Sequence, residues 1–234
     1  MTVNLTPRQV YVIIPAFNEE KSIAKVINDI PKNLVTEIIV CNNNSSDNTA
    51  AEAKNAGATT IDATIPGYGN ACLKGISYLK GKAKSKDIVV FIDGDYSDYP
   101  QEIVDVILPI QLNRADLVIG SRALGVKEKG SMTLPQRFGN WLATRLIKIF
   151  YGVKFTDLGP FRAISWENLV LIGMKDRTYG WTVEMQIKAA KLDLRCIEVP
   201  VKYRKRIGIS KISGTLKGVV LAGYKIIWMI FKNL

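Results

Sequence analysis

The chain reads as an α/β protein: a mainly parallel sheet flanked by helices, with amphipathic helices towards its C-terminus. Two patterns carry that reading. Short β-branched runs alternate with longer amphipathic stretches through the first half of the 234 residues, and strand, helix, strand at that rhythm makes parallel strands joined by crossovers. The hydrophobic content of 47% can also fill a sizeable core in a chain of this length.

The elements follow in order. Residues 10–14 form the first strand, which ends in the polar turn PAFNEE opening a helix over 19–30. A strand over 37–41 ends likewise in NNNSSDNT, where Asp47 or a nearby serine caps a helix over 48–55. A strand over 58–61 leads through PGYGN to a helix over 69–79 with Lys74 one turn inside, a helix start able to receive phosphate. The apolar strand 88–93 runs into GDYSDYP and a helix over 100–112, and a fifth strand covers 117–120. In such sheets ligands bind beyond the carboxyl ends of the strands, so the loops at 15–20, 42–49 and 93–100 are the ones to watch.

After Arg122 the pattern changes. A polar loop over 123–135 precedes RFGNWLATRLIKIFYG, in which Phe138, Trp141, Leu142, Leu146, Ile149 and Phe150 fall on one helical stripe interrupted by Arg145. A strand-like piece over 161–164, a helix over 182–191, a strand over 196–201 and the basic segment KYRKRIGISK follow. With no repeat and no linker, residues 1–217 are expected to form one domain, including an amphipathic helix over 137–151. Residues 218–234 are expected to add a C-terminal amphipathic, membrane-interfacial helix.

The chain has no histidine. That excludes a Ser-His-Asp or Cys-His arrangement, an imidazole base and a His-containing zinc site. Chemistry is left to carboxylates, backbone dipoles, cations and a metal held by oxygen. Residues 1–100 carry 10 basic and 11 acidic side chains, whereas residues 101–234 carry 22 and 10. The excess positive charge of the later part points to an anionic partner: nucleic acid, a phosphorylated substrate or a lipid surface. Cys41, Cys72 and Cys196 show no CxxC spacing and fit reduced thiols. The N-terminal MTVNLTPRQV lacks the apolar stretch of a secretory signal, so the cytoplasmic side is the expected location.

Asp93 and Asp95, one residue apart at a strand end, point to the same side. They are either solvated turn residues or a pair that shares a hard divalent cation with a substrate phosphate, which removes the cost of two adjacent like charges. Taken together, PAFNEE (15–20), NNSSDNT (43–49), GYGNA (67–71), DGD (93–95) and GSR (120–122) resemble the family-2 glycosyltransferases of GT-A, Rossmann-like fold. The similarity continues through DLGPFRA, WTVEMQIKA and RIGISK, towards dolichyl-phosphate mannosyltransferase and the polyprenyl-phosphate hexosyltransferases.

That resemblance implies an inverting hexose transfer from a nucleotide sugar. Pro15, Ala16 and Glu19 would line the nucleotide pocket, Asn43 and Asp47 its base-binding edge, and Gly69 would sit near the donor. Asp93, Gly94 and Asp95 would approach ribose, diphosphate and metal, with Asp93 and Asp95 holding Mg²⁺ or Mn²⁺ as a Lewis acid. The family often has paired aspartates where this chain has Asn42 and Asn43, which leaves UDP and GDP both open.

Six cations and no acid occupy residues 202–217. The resemblance sets Arg206, Ser210 and Lys211 near an acceptor phosphate, with Arg122 and Arg137 as further candidates. A phosphate acceptor is already anionic, whereas a hydroxyl acceptor needs a base. Asp98, Asp157 or Glu184 would have to serve, Glu184 being equally readable as a structural helix carboxylate. Three functions are therefore in play. The leading one is transfer to a polyprenyl phosphate by a protein lying on an anionic membrane surface, alone, as a homo-oligomer or beside an integral-membrane partner. The second uses a soluble or saccharide hydroxyl acceptor. The third is a non-enzymatic, basic nucleotide- or nucleic-acid-binding module; against it, the basic run lacks interleaved stacking motifs, so nucleic acid is not the expected partner.

Overall fold

The computed structural model describes residues 8–208 and 216–234. The sheet has the order β3-β2-β1-β4-β6-β5-β7, made of β1 (Val10–Ala16), β2 (Glu37–Asn42), β3 (Thr59–Asp62), β4 (Ile88–Phe91), β5 (Leu117–Ser121), β6 (Arg162–Ser165) and β7 (Cys196–Pro200). Among these strands β6 alone runs antiparallel to its neighbours, between β4 and β5. β1 lies between β2 and β4, so the winding direction reverses there. That reversal opens a crevice beyond the carboxyl ends of β1 and β4.

Alternation along the strands makes two cores. Tyr11, Ile13, Val89, Phe91 and Leu117 pack on one face under α3 (Tyr68–Leu79), α5 (Leu134–Tyr151), α7 (Trp181–Lys191) and α8 (Leu216–Lys232). Val10, Val12, Ile14, Val90 and Val118 pack on the other, under α1 (Ile23–Asp29) and α4 (Ile103–Gln111). Burial on both faces explains the near-continuous apolar runs of β1 and β4.

The first helix starts later than its sequence pattern suggests. The N–H groups of Glu19 and Glu20 donate instead to Thr49 Oγ1 (2.7 Å) and Asp47 Oδ2 (3.2 Å), just before α2 (Thr49–Asn55). Residues 17–22 are thereby held as a loop against the loop after β2. A short α6 (Trp166–Ile172) follows β6 directly; it carries exposed Val170 and Leu171 and no clean apolar stripe. The expected stripe of α5 is not its core face. Ala143, Thr144 and Ile147 face the core, while Leu142 and Leu146 are half-buried and Phe138, Trp141, Ile149 and Phe150 are exposed.

α8 is fastened along its length. Lys225 Nζ lies 2.9 Å from Asp176 Oδ2, Tyr151 donates to the Ile230 carbonyl, and Phe150 meets Phe231 edge-on at 5.3 Å. No described helix is long and apolar enough to cross a membrane.

The start of α3 is packed hard against residues 176 and 177. A Cβ on Gly69 would stand 2.1 Å from the Asp176 carbonyl oxygen, a contact only backbone movement could relieve. Gly69→Ala should therefore lower stability by about 1–3 kcal/mol in urea unfolding. Gly139→Ala, within α5 and facing open space, should raise it by about 0.5–1 kcal/mol.

Candidate functional site

Two cavities meet beyond the carboxyl ends of β1 and β4. The larger, about 570 Å³, is lined by Pro15, Ala16, Glu19, Asn43 and Gly94 among others. The smaller, about 270 Å³, is lined by Arg122, Asn140, Leu158 and Trp181, and lies between α5 and α8. Tyr68, Asp93, Asp95, Tyr179 and Arg206 belong to both.

The carboxylates at this junction are individually managed. Tyr68 donates its hydroxyl to Asp93 Oδ1 (3.0 Å). Burial, reinforced by the charge of Asp95, pushes the Asp93 carboxyl up to about 6. Asp95 Oδ1 accepts from the Ser97 N–H (2.8 Å) and hydroxyl, while Oδ2 lies 2.5 Å from the Arg206 guanidinium. Asp98 is only 2% exposed, and neither carboxylate oxygen has a hydrogen-bond partner. Burial, reinforced by the charge of Asp93, raises its pKa well above the usual carboxylate range.

Arg206 is placed by its neighbours. The Ile207 N–H donates to the Asp95 carbonyl and the Arg204 N–H to the Ser97 carbonyl, both at 2.9 Å. Arg204 donates Nε to the Tyr96 carbonyl (2.7 Å), and its guanidinium lies 3.4 Å and 4.2 Å from the centres of the Tyr96 and Tyr99 rings. The basic segment is thus bound to the loop after β4 instead of spread over a solvated face.

Asp157 and Glu184 are fully engaged. Arg122 donates Nε (2.8 Å) and Nη2 (2.7 Å) to Asp157 in a fork, and its backbone N–H adds a third bond at 2.7 Å. Burial alone would raise the Asp157 pKa; the Arg122 charge and these bonds overturn that and hold it below the usual range. Glu184 accepts from the N–H groups of Lys175 and Asp176 and pairs with Lys188 at 2.7 Å. Both carboxylates are held by cations and backbone N–H groups, and neither lines either cavity.

Other expected residues sort as follows. Pro15, Ala16, Glu19, Asn43, Asp93, Gly94 and Asp95 line the larger cavity; Asp47 and Gly69 do not. Asp47 accepts from Glu20 and Thr49 and braces two loops. At the helix start over 67–70 two N–H groups are already taken: the Gly67 N–H donates to Asn43 Oδ1 (2.7 Å) and the Asn70 N–H to the Arg177 carbonyl (3.1 Å). Lys74 is exposed and lines neither cavity. Arg137 is exposed on α5, outside both, and Ser210 and Lys211 lie outside the described residues. Tyr68, Tyr179, Trp181 and Tyr203 are lining residues that the sequence reading missed. Tyr68 stood inside the PGYGN motif and was legible there as the one bulky residue between two glycines.

Among the described residues no third Asp, Glu or Cys joins Asp93 and Asp95 in a metal-enclosing cluster. Two carboxylates without a cage match the way Mg²⁺-like ions are held, by one or two carboxylates with water and substrate phosphate completing the shell.

Comparison with known proteins gives the same frame. Residues 11–170 match the model of Glycosyl transferase family 2. A UDP-N-acetylglucosamine–dolichyl-phosphate N-acetylglucosaminyltransferase of Methanococcus voltae is 30% identical over 219 residues, 85% of this chain and 86% of that protein. An undecaprenyl-phosphate mannosyltransferase of Micrococcus luteus is 27% identical over 225 residues, 90% of each. Glucosyl-3-phosphoglycerate synthase from Mycobacterium tuberculosis, solved in complex with Mn²⁺, UDP-glucose and phosphoglyceric acid, superimposes with a TM-score of 0.75 at 23% identity, over 97% of this chain and 79% of that one. The shared architecture is the GT-A fold. With its family model spanning more than half its length, the chain belongs to glycosyl transferase family 2.

Proposed function

We propose that this glycosyltransferase moves a hexose, with inversion, from a UDP- or GDP-linked donor to a polyprenyl phosphate at a membrane surface. The nucleotide sugar occupies the larger cavity, against Pro15, Ala16, Glu19, Asn43 and Gly94. Asp93 and Asp95 hold Mg²⁺ or Mn²⁺, which when bound supplies Lewis-acid stabilisation of the departing diphosphate. Tyr68 orients Asp93, and Ser97 orients Asp95. Trp181 and Leu158 wall the smaller cavity, so water is kept from competing with the acceptor.

One observation carries the choice of acceptor. The smaller cavity offers the guanidinium groups of Arg122 and Arg206, while none of the three carboxylates considered as bases lines either cavity: Asp157 is held by Arg122, Glu184 by the loop at 175–176, and Asp98 is buried behind the lining. A hydroxyl acceptor would lack its base. A phosphate acceptor needs none, because its oxygen is already anionic and Arg122, held in place by Asp157, can orient it.

The surroundings of this cavity support a lipid. Its rim includes Pro135, Gln136 and Gly139 of α5 and Ala222, Gly223 and Ile226 of α8. Those helices expose Leu134, Phe138, Trp141 and Tyr224, and Arg137, Arg145 and Lys148 add positive charge on α5. Apolar residues beside cations suit the interface of an anionic bilayer. The names of the two relatives point to polyprenyl-type phosphates, and the 218–234 segment serves as the interfacial helix.

Purified protein should release UDP or GDP from one member of a panel of UDP- and GDP-hexoses only when a short polyprenyl phosphate is added, and EDTA should stop it. Asp95→Ala should lower turnover at least about a hundredfold, the scale of a lost metal contact. Transfer to phosphoglyceric acid or a saccharide, with none to any lipid phosphate, would sink the assignment.

Asp98 supplies a pH test. Its folded-state pKa lies above its unfolded value, so the folded state holds the proton more tightly. Stability from this group is complete below the unfolded pKa and is lost as pH rises towards the folded one. Asp98→Asn should therefore raise the thermal midpoint more at pH 8 than at pH 5. An equal gain at both would show that folded Asp98 is already ionised at pH 5 and would overturn this reading.

A further inference from the structure

Arg206 stands where an acceptor ligand is not expected to rest. Its guanidinium lies 2.5 Å from Asp95 Oδ2 and 3.8 Å from Glu19 Oε1, at the junction of the two cavities. Asp95 Oδ1 is already taken by Ser97, so Oδ2 is the oxygen through which Asp95 would meet a metal. One carboxylate oxygen thus has two claimants, a guanidinium and a divalent cation. Both cannot hold it at ligand distance, because the two positive charges would repel at a few ångströms.

We infer that Arg206 is the resting counter-ion of Asp95, that a divalent cation displaces it when nucleotide binds, and that the freed guanidinium takes a donor phosphate. The inference rests on the reading of this site as a metal-assisted nucleotide-sugar site. Three features favour exchange over permanent pairing. The Nε of Arg206 is buried with no hydrogen-bond partner, so the resting pose leaves a donor unmet that a phosphate oxygen could satisfy. The main chain on either side of the residue is pinned, by Ile207 to Asp95 and by Arg204 to Ser97 and the Tyr96 and Tyr99 rings. The side chain can therefore swing while its Cα stays beside the carboxylates. Glu19, Asp93 and Asp95 together line the larger cavity, and a doubly charged ion compensates them better than one guanidinium.

The consequence is a coupling. Metal arriving alone must break the Asp95–Arg206 pair without giving Arg206 a new partner; metal arriving with a nucleoside diphosphate gives it one. Each ligand then strengthens the other by the same factor.

The test is Mn²⁺ binding to the full-length protein, read from the electron paramagnetic resonance signal of the free ion, with no turnover required. Without nucleotide, Arg206→Gln should bind Mn²⁺ at least about tenfold more tightly than wild type, whereas Arg206→Lys, which keeps the charge, should stay close to wild type. Saturating UDP or GDP should tighten Mn²⁺ binding to wild type strongly and to Arg206→Gln much less. Asp95→Asn in the Arg206→Gln background should abolish the gain, locating it at Asp95. If wild type binds Mn²⁺ with nucleotide but Arg206→Gln binds it no more tightly without, displacement is wrong and the enzyme assignment stands. If wild type binds no Mn²⁺ even with UDP and GDP, the metal-assisted reading fails and the displacement with it.

Discussion

Everything at this site answers to the crowding of negative charge at the end of β4. Four fully buried residues, Ile88 to Phe91, fix that strand in the middle of the sheet between β1 and β6. The chain that follows has no freedom to carry Asp93, Asp95 and Asp98 out to water. Two unit charges about 4 Å apart repel by roughly 4 kcal/mol at the effective dielectric of a protein surface, which is comparable to the whole stability of a small domain. Three carboxylates cannot all be ionised there unaided. The protein handles each differently: Asp95 is paired with Arg206, Asp93 is bonded to Tyr68 with its pKa pushed up to about 6, and Asp98 is buried with its pKa raised well above the usual carboxylate range. The charge left over is what makes the junction attractive to a cation.

The basic excess of the C-terminal part is the complement of that crowding. Arg204 and Arg206 return across the loop after β4, where backbone pairing holds the main chain and two tyrosine rings hold the Arg204 guanidinium. Arg122 approaches from the end of β5, with Asp157 as its anchor and Glu198 accepting the N–H groups of Thr156 and Asp157 beneath it. The side chains of Arg122 and Arg204 are therefore bound in fixed geometry, unlike solvated surface cations, whose ion pairs contribute little. The loop at 173–180 joins the two sides. Glu184 and Asp176 shape it, its backbone abuts Gly67 and Gly69, and Lys225 of α8 closes on Asp176. The wall of the larger cavity and the helix beside the smaller one are parts of one scaffold.

How much of this was legible in the sequence follows from the range of the interactions involved. The strands and most helices were, because alternation and periodicity are local and the cores on both faces enforce them. α6 was not, since its outward Val170 and Leu171 blur the apolar pattern, and the first helix was read too early because the amides of Glu19 and Glu20 are claimed by residues about 30 positions away. The DGD pair was visible as a pair. The occupation of Asp157 was not: its partner Arg122 lies 35 residues earlier, and a carboxylate looks equally free on paper whether or not a guanidinium holds it. Asp98 shows the converse, an acid that the sequence offers as a candidate base and that proves to be buried without a hydrogen-bond partner.

Asn43 shows why departure from a family pattern need not weaken a site. Its amide nitrogen donates to the carbonyls of Ala63 (2.8 Å) and Ile65 (2.7 Å), and its oxygen accepts from the Gly67 N–H (2.7 Å). An aspartate could keep the last bond but would set its charge against two carbonyl oxygens, because a carboxylate has nothing to donate. The amide is thus required by the path of the 63–67 loop, which forms one wall of the larger cavity through Pro66 and Gly67. Under the proposed placement of the nucleotide, one lone pair of the Asn43 oxygen would be left for a nucleobase N–H, a donor that uracil and guanine both possess. Under that placement, discrimination between the two would fall to the shape of the cavity around Phe17 and Asn44, where size rather than charge separates a pyrimidine from a purine.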